Sequence, residues 1–188
     1  MSKVQLAIEI ARRAHKGQVD KLGADYISHP LRVHRNLLEN PKFKKLDALT
    51  REDLEVAALL HDVIEDSGKN GSEVFTAGDL LSHNFSPRSI ELVQLLTRDK
   101  SIPNDDYYDA IEANPLAKLV KLADIADNRN RKRVSGLEAK KANELRAKYE
   151  HALEIIQMDE EDAGWLQSAM EYDIEIDDVE DDTNENDG

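Results

Sequence analysis

The sequence predicts an all-α domain, and three observations carry that prediction. Apolar residues recur at spacings of three and four along almost the whole chain, which is the period of a helix face. Charged residues make up 34% of the chain and aromatic residues only 5%, with Leu and Ala abundant. That balance suits helices better than sheets. No segment reads as a strand. The 188 residues suit a single domain with a full core.

The elements follow in order. Val4, Ala7, Ile8, Ala11 and Ala14 fall on one helical stripe. Residues 17–28, with Gly17 and Gly23, read as a loop. Pro30 suits the first turn of the next helix, where its missing N–H costs nothing, and Leu31, Val33, Leu37 and Leu38 continue it to Asn40-Pro41. Thr50, with Asp53 three residues on, predicts an N-cap and the start of one long helix that ends near Ser67-Gly68. A short helix is expected over 77–83 and a longer one from Ser86-Pro87 to Leu96. A short one over 105–113 follows, then one from Pro115 carrying Leu119, Val120, Leu122, Ala123 and Ala126. The final long helix is expected over 137–158, with Trp165 and Leu166 packing one further turn on the body. Residues 1–170 are expected to form the domain and residues 171–188 a disordered acidic tail.

The net charge of −14 is unevenly placed, because residues 171–188 hold ten acids and no Lys or Arg. The remainder is only mildly acidic, which argues against a general nucleic-acid binder. The absence of cysteine excludes disulfides, thiolate metal sites and thiol nucleophiles, so any metal must be held by His and carboxylates. No apolar run approaches the roughly 20 residues that span a bilayer. The Met1-Ser2-Lys3-Val4 start lacks a signal-peptide layout, so a cytoplasmic protein without a membrane partner is expected.

Chemistry concentrates in Ala57-Ala58-Leu59-Leu60-His61-Asp62-Val63-Ile64-Glu65-Asp66. Here a His-Asp pair and a Glu-Asp pair interrupt an apolar run, and a buried carboxylate needs a partner. His29 at a helix mouth and Asp124 inside Leu119-Val120-Lys121-Leu122-Ala123-Asp124 are of the same kind. Two imidazoles and two carboxylates suit Mn²⁺, with Fe²⁺ or Zn²⁺ as alternatives. They leave positions open for water and substrate. Spacing alone leaves two readings open, a metal site and a satisfied polar core. Glu65 and Asp66, one turn past His61 and Asp62, can serve as proton acceptors. Lys121 and Asn128 flank Asp124 within reach of a bound ligand. Arg12, Lys16 and Lys21 are candidate phosphate donors, although loop charges of this kind are more often simply solvated.

These segments resemble the HD-domain phosphohydrolase superfamily, and within it the RelA/SpoT-type (p)ppGpp hydrolase domain. The resemblance rests on Ala14-His15-Lys16-Gly17-Gln18 with Tyr26-Ile27-Ser28-His29-Pro30-Leu31, on 57–66, and on Val120-Lys121-Leu122-Ala123-Asp124 with Asn128. It covers roughly residues 3–157. It implies an HD-domain helical bundle with a metal site in a core cleft and one Mn²⁺ per chain on His29, His61, Asp62 and Asp124. It also implies water activation by Glu65 and Asp66, nucleotide contacts from Lys21, Asn128 and Tyr149, and removal of the 3′-pyrophosphate of guanosine tetra- or pentaphosphate.

Two segments depart from the family pattern. A basic pair becomes Asp20-Lys21, and the Asp-Arg-Leu-His-Asn form becomes Asp124-Ile125-Ala126-Asp127-Asn128. The chain looks like a stand-alone small alarmone hydrolase. The alternatives are hydrolysis of another nucleotide, such as NADPH or a dNTP, and a non-catalytic HD-fold interaction module. Because an acidic tail repels an anionic nucleotide, a chain ending at Met170 is expected to keep its melting temperature and kcat, with KM equal or slightly lower. Unfolding, or a tenfold loss of turnover, would place part of the tail in the fold.

Overall fold

The computed structural model describes residues 1–172, so all but the first two residues of the expected acidic tail lie outside the described residues. Among the described residues there are twelve α-helices and no strand. An isolated bridge joins Val19 to Asp25 in the loop before the second helix.

Local capping chemistry starts most of these helices. Helix α1 (Lys3–Ala14) opens on a reciprocal box between Ser2 and Gln5, α2 covers Ser28–Glu39, and α3 (Pro41–Lys44) is capped by Asn40. Helix α4 (Ala48–Leu60) starts at Asp47, whose carboxylate accepts from the Leu49 and Thr50 amides, and not at Thr50 as expected. The Thr50 hydroxyl instead donates to Asp47 at 2.6 Å, and Asp53 is held by Arg88. Helix α5 (Val63–Asp66) is a separate turn. The single helix expected through 57–66 is therefore two, with His61 and Asp62 at the junction. Their backbone stays near helical, but Asp62 opens to φ −98°, ψ −5°. At Gly68, φ is +80° and a Cβ would stand 2.9 Å from Val74 Cγ2, so the turn that closes this segment requires glycine.

Helices α6 (Ala77–Ser82), α7 (Pro87–Leu96), α8 (Asn104–Glu112) and α9 (Pro115–Asn128) lie where expected, with proline in the first turn of α7 and α9. Helix α10 (Arg131–Ser135) was not expected, and neither was α3; each is about one turn long and shows no periodicity of its own. Helix α11 (Ala139–Ile155) is followed by α12 (Glu160–Glu171), a full helix where only one turn was expected. It ends one residue past the expected boundary at 170. No described helix is long and apolar enough to cross a membrane.

Helices α4 and α9 form the centre. α4 packs on α1, α2, α7 and α9, and α9 packs in addition on α2, α7, α8 and α12. Residues 56–60 and 119–127 are buried without interruption, as expected for helices surrounded on all sides. Any polar residue in those runs is therefore forced into the interior. Leu59 is fully buried in α4, whereas Leu49 on the same helix is 73% exposed. Leu59→Ala should destabilise by about 2–5 kcal/mol and Leu49→Ala by less than about 0.5 kcal/mol. Urea unfolding of the two variants checks this; equal losses would contradict the burial of α4.

Candidate metal centre

Three distant segments meet at one point. His29 enters from the start of α2, His61 and Asp62 from the α4–α5 junction, and Asp124 from the third turn of α9. The His29 ring meets His61 edge-on with centroids 5.3 Å apart. His29 Nε2 lies 3.4 Å from Asp124 Oδ1 and 3.5 Å from Asp62 Oδ2. His61 Nε2 lies 3.1 Å from Asp62 Oδ2 and 3.9 Å from Asp124 Oδ1. All except Asp62, which is about one fifth exposed, are nearly sealed from solvent.

The second ring nitrogens define what the first can do. His61 Nδ1–H donates to the Ala58 carbonyl at 2.8 Å, and His29 Nδ1–H donates to Asp127 Oδ2 at 2.7 Å. A carbonyl or an ionised carboxylate only accepts, so each neutral ring keeps its proton on Nδ1 and turns the Nε2 lone pair toward Asp62 and Asp124. Acceptors then face acceptors. His61 Nε2 is buried without a hydrogen-bond partner. A cation is what such a cluster lacks, and donors about 2.0–2.2 Å from a shared ion stand roughly 3–3.5 Å apart. The separations above are of that order. His29, His61 and Asp124 could hold a divalent metal ion.

The electrostatics point the same way. Burial opposes charge on His29, but the carboxylates of Asp124, Asp127 and Asp62 outweigh it and raise its pKa well above the usual value. His61 is raised likewise, with burial opposing and Asp62 foremost among the groups that raise it. Burial also opposes ionisation of Asp62 and Asp124. Their charged neighbours together outweigh it, His61 foremost at the first and Lys121 at the second, and both carboxyls fall well below their ordinary range. The carboxylates thus draw a positive charge, proton or metal, onto the Nε2 side of the rings.

Outside this cluster opens a cavity of about 580 Å³. That volume suits a nucleotide-sized ligand. Glu65 and Asp66 line it beside Asp62. Glu65 accepts from the Arg98 amide at 3.3 Å, and Asp66 pairs with Lys69. Lys21, Lys121, Asn128 and Tyr149 also line it. The polar ends of Lys121 and Asn128 are turned to the two oxygens of Asp124, at 2.8 and 2.6 Å. Tyr149 is buried, with the Lys148 ammonium 4.9 Å over its ring. Arg12 and Lys16 are exposed and do not line the cavity. Sequence reasoning missed Tyr26, whose hydroxyl donates to Asp62 at 2.7 Å, although it stands in a motif that had been noticed. It also missed Arg133 and Lys148 in the cavity wall, which no local pattern marks.

Residues 26–129 match the family described as HD domain, a span that encloses all four expected ligands. The chain belongs to the HD domain family. An HD domain implies a divalent metal, in agreement with the cluster. The chain is 34% identical over 125 residues to human guanosine-3′,5′-bis(diphosphate) 3′-pyrophosphohydrolase MESH1, a match covering 63% of each chain. It is 32% identical over 134 residues to the Aquifex aeolicus guanosine-3′,5′-bis(diphosphate) 3′-pyrophosphohydrolase, covering 67% of this chain and 17% of that protein. The matched stretch is thus less than two thirds of either relative. The solved structure of a metazoan ortholog of SpoT that hydrolyses ppGpp superposes with a TM-score of 0.69 at 22% identity. It covers 90% of this chain and 94% of that one, and shows the same fold.

Adding Mn²⁺ should raise the melting temperature of metal-free protein, because the ion binds the folded state alone. His61→Ala should abolish both the shift and the metal found by elemental analysis. Full metal content in that variant would remove His61 from the site.

Proposed function

We propose that this HD domain is a Mn²⁺-dependent (p)ppGpp 3′-pyrophosphohydrolase. The observation that carries the reading is the convergence of two imidazole lone pairs on two carboxylates at the floor of a cavity that also holds Glu65 and Asp66. The relatives named as guanosine-3′,5′-bis(diphosphate) 3′-pyrophosphohydrolases support the same chemistry.

His29, His61, Asp62 and Asp124 would hold the ion. When bound, it would supply Lewis acidity toward a phosphate oxygen and lower the pKa of water toward neutral. Asp62 is steered by the Tyr26 hydroxyl, and Asp124 by Lys121 and Asn128. Glu65 and Asp66 accept the proton of the attacking water. The water oxygen bonds to the phosphorus on the ribose side, the bond from that phosphorus to the 3′ oxygen breaks, and the 3′ hydroxyl regains a proton. Pyrophosphate and GDP or GTP leave. Lys21, Lys121, Asn128 and Tyr149 form the wall against which the nucleotide lies, where cations and amides offset developing charge.

The second reading is another nucleotide, such as NADPH or a dNTP. Asp20 favours it, because an acid beside Lys21, with its carboxylate 3.3 Å from Arg133, alters the pattern of cations at the cavity wall.

The deciding experiment incubates purified protein and Mn²⁺ with a nucleotide panel and resolves the products by chromatography. GDP and pyrophosphate from ppGpp are expected. Turnover of another nucleotide alone would move the substrate, and no turnover of any would leave a non-catalytic module. Glu65→Gln and Asp66→Asn should each lower kcat by about 10²–10⁴-fold with Mn²⁺ still bound. Wild-type rates in the double variant would count decisively against the proton-acceptor role.

A further inference from the structure

Asp127 lies in one of the two segments where the sequence departs from the family pattern, and so far it has entered only as the acceptor for His29 Nδ1–H. It is 3% exposed. Four contacts surround its carboxylate. His29 Nδ1–H donates to Oδ2 at 2.7 Å, and the Arg133 guanidinium forms an ion pair with the same oxygen, Nη1 standing 2.9 Å from it. Arg32 donates through Nε to Oδ1 at 2.6 Å, with Nη2 3.4 Å from Oδ2. The other face of Arg133 meets Asp20 at 3.3 Å, and Asp20 is the second departure. One guanidinium therefore joins the two unusual acids, and the two departures form one network.

The charges in that network balance without His29. Arg32 and Arg133 offset Asp127 and Asp20, so the imidazole need not be charged to satisfy the buried carboxylate. It is a donor to Asp127 through Nδ1, which leaves Nε2 on the side of the cluster. Asp127 is not itself placed as a ligand, because its oxygens lie on the Nδ1 side of the ring, away from the cluster around Nε2.

We infer that Asp127 is a positioning residue that fixes the tautomer and ring orientation of His29 for metal binding, and that Arg32 and Arg133 hold it in place. The inference rests on the metal reading of the site proposed above. A carboxylate behind a ligating imidazole makes the ring a better donor and limits its rotation, and losing such a partner typically costs about 10–100-fold in metal affinity. Asp127 and His29 come from α9 and α2, so the same contact sets the spacing between the two helices that supply Asp124 and His29.

The test measures Mn²⁺ dissociation constants on metal-free protein by calorimetry, together with its melting temperature. Asp127→Asn keeps the shape and removes the charge; it should weaken Mn²⁺ binding about 10–100-fold. Asp53→Asn is the structural control. Asp53 is a 7% exposed acid paired with Arg88 at 2.6 Å, in the middle of α4 and about two turns before His61. It should lower the melting temperature and leave the dissociation constant unchanged. If Asp127→Asn does not fold, Arg133→Gln loosens the same carboxylate from a partly exposed position and should weaken binding in the same direction. Unchanged dissociation constants in the folded Asp127 or Arg133 variants would overturn the inference while the metal site stands. A wild type that binds no Mn²⁺ would overturn both.

Discussion

The site rests on one electrostatic requirement. Two carboxylates and two imidazole lone pairs are brought together where water hardly reaches, and such a set is stable only around positive charge. Burial opposes the charged state of every member, and the attraction among them overcomes it only as a group. Removing any one leaves the others buried and unpaired, which is far more costly than losing a surface charge.

The fold meets that requirement by committing its two most buried helices to it. α9 is buried from 119 to 127, so a polar residue placed in that run reaches only the interior or the cavity. Asp124 is met by Lys121 one turn before and Asn128 one turn after, and Asp127 is met by arginines from α2 and α10. The α4–α5 junction serves the same end differently. The helix ends at Leu60 and opens at Asp62, and from this junction His61 and Asp62 reach the cluster while Glu65 and Asp66 line the open cavity.

Much of this was legible in the sequence because the pattern violates its own surroundings. A His or Asp among Leu, Ala and Val is conspicuous, and His29, His61, Asp62 and Asp124 each stood out in this way. What could not be read was partnership. Asp127 is one of several acids on the chain, and nothing local says that Arg32 and Arg133 close around it. The α4 cap was misplaced for a related reason: Asp47 caps the Leu49 and Thr50 amides, and Asp53, expected to complete a cap at Thr50, is paired with Arg88. The short helices α3 and α10 are too brief to leave a period.

The placement of the ligands also has a mechanical meaning. The chain contains no cysteine and so no covalent cross-link. An ion held at once by residues 29, 61 and 124 ties together segments far apart along the backbone, closing two long loops in the manner of a disulfide bond. Such a clip removes freedom from partly opened forms as well as from the unfolded chain, and its effect grows slowly with the length it encloses. An ion bound at the candidate site would thus also be a staple, and its loss would loosen the bundle from its middle and not from its ends.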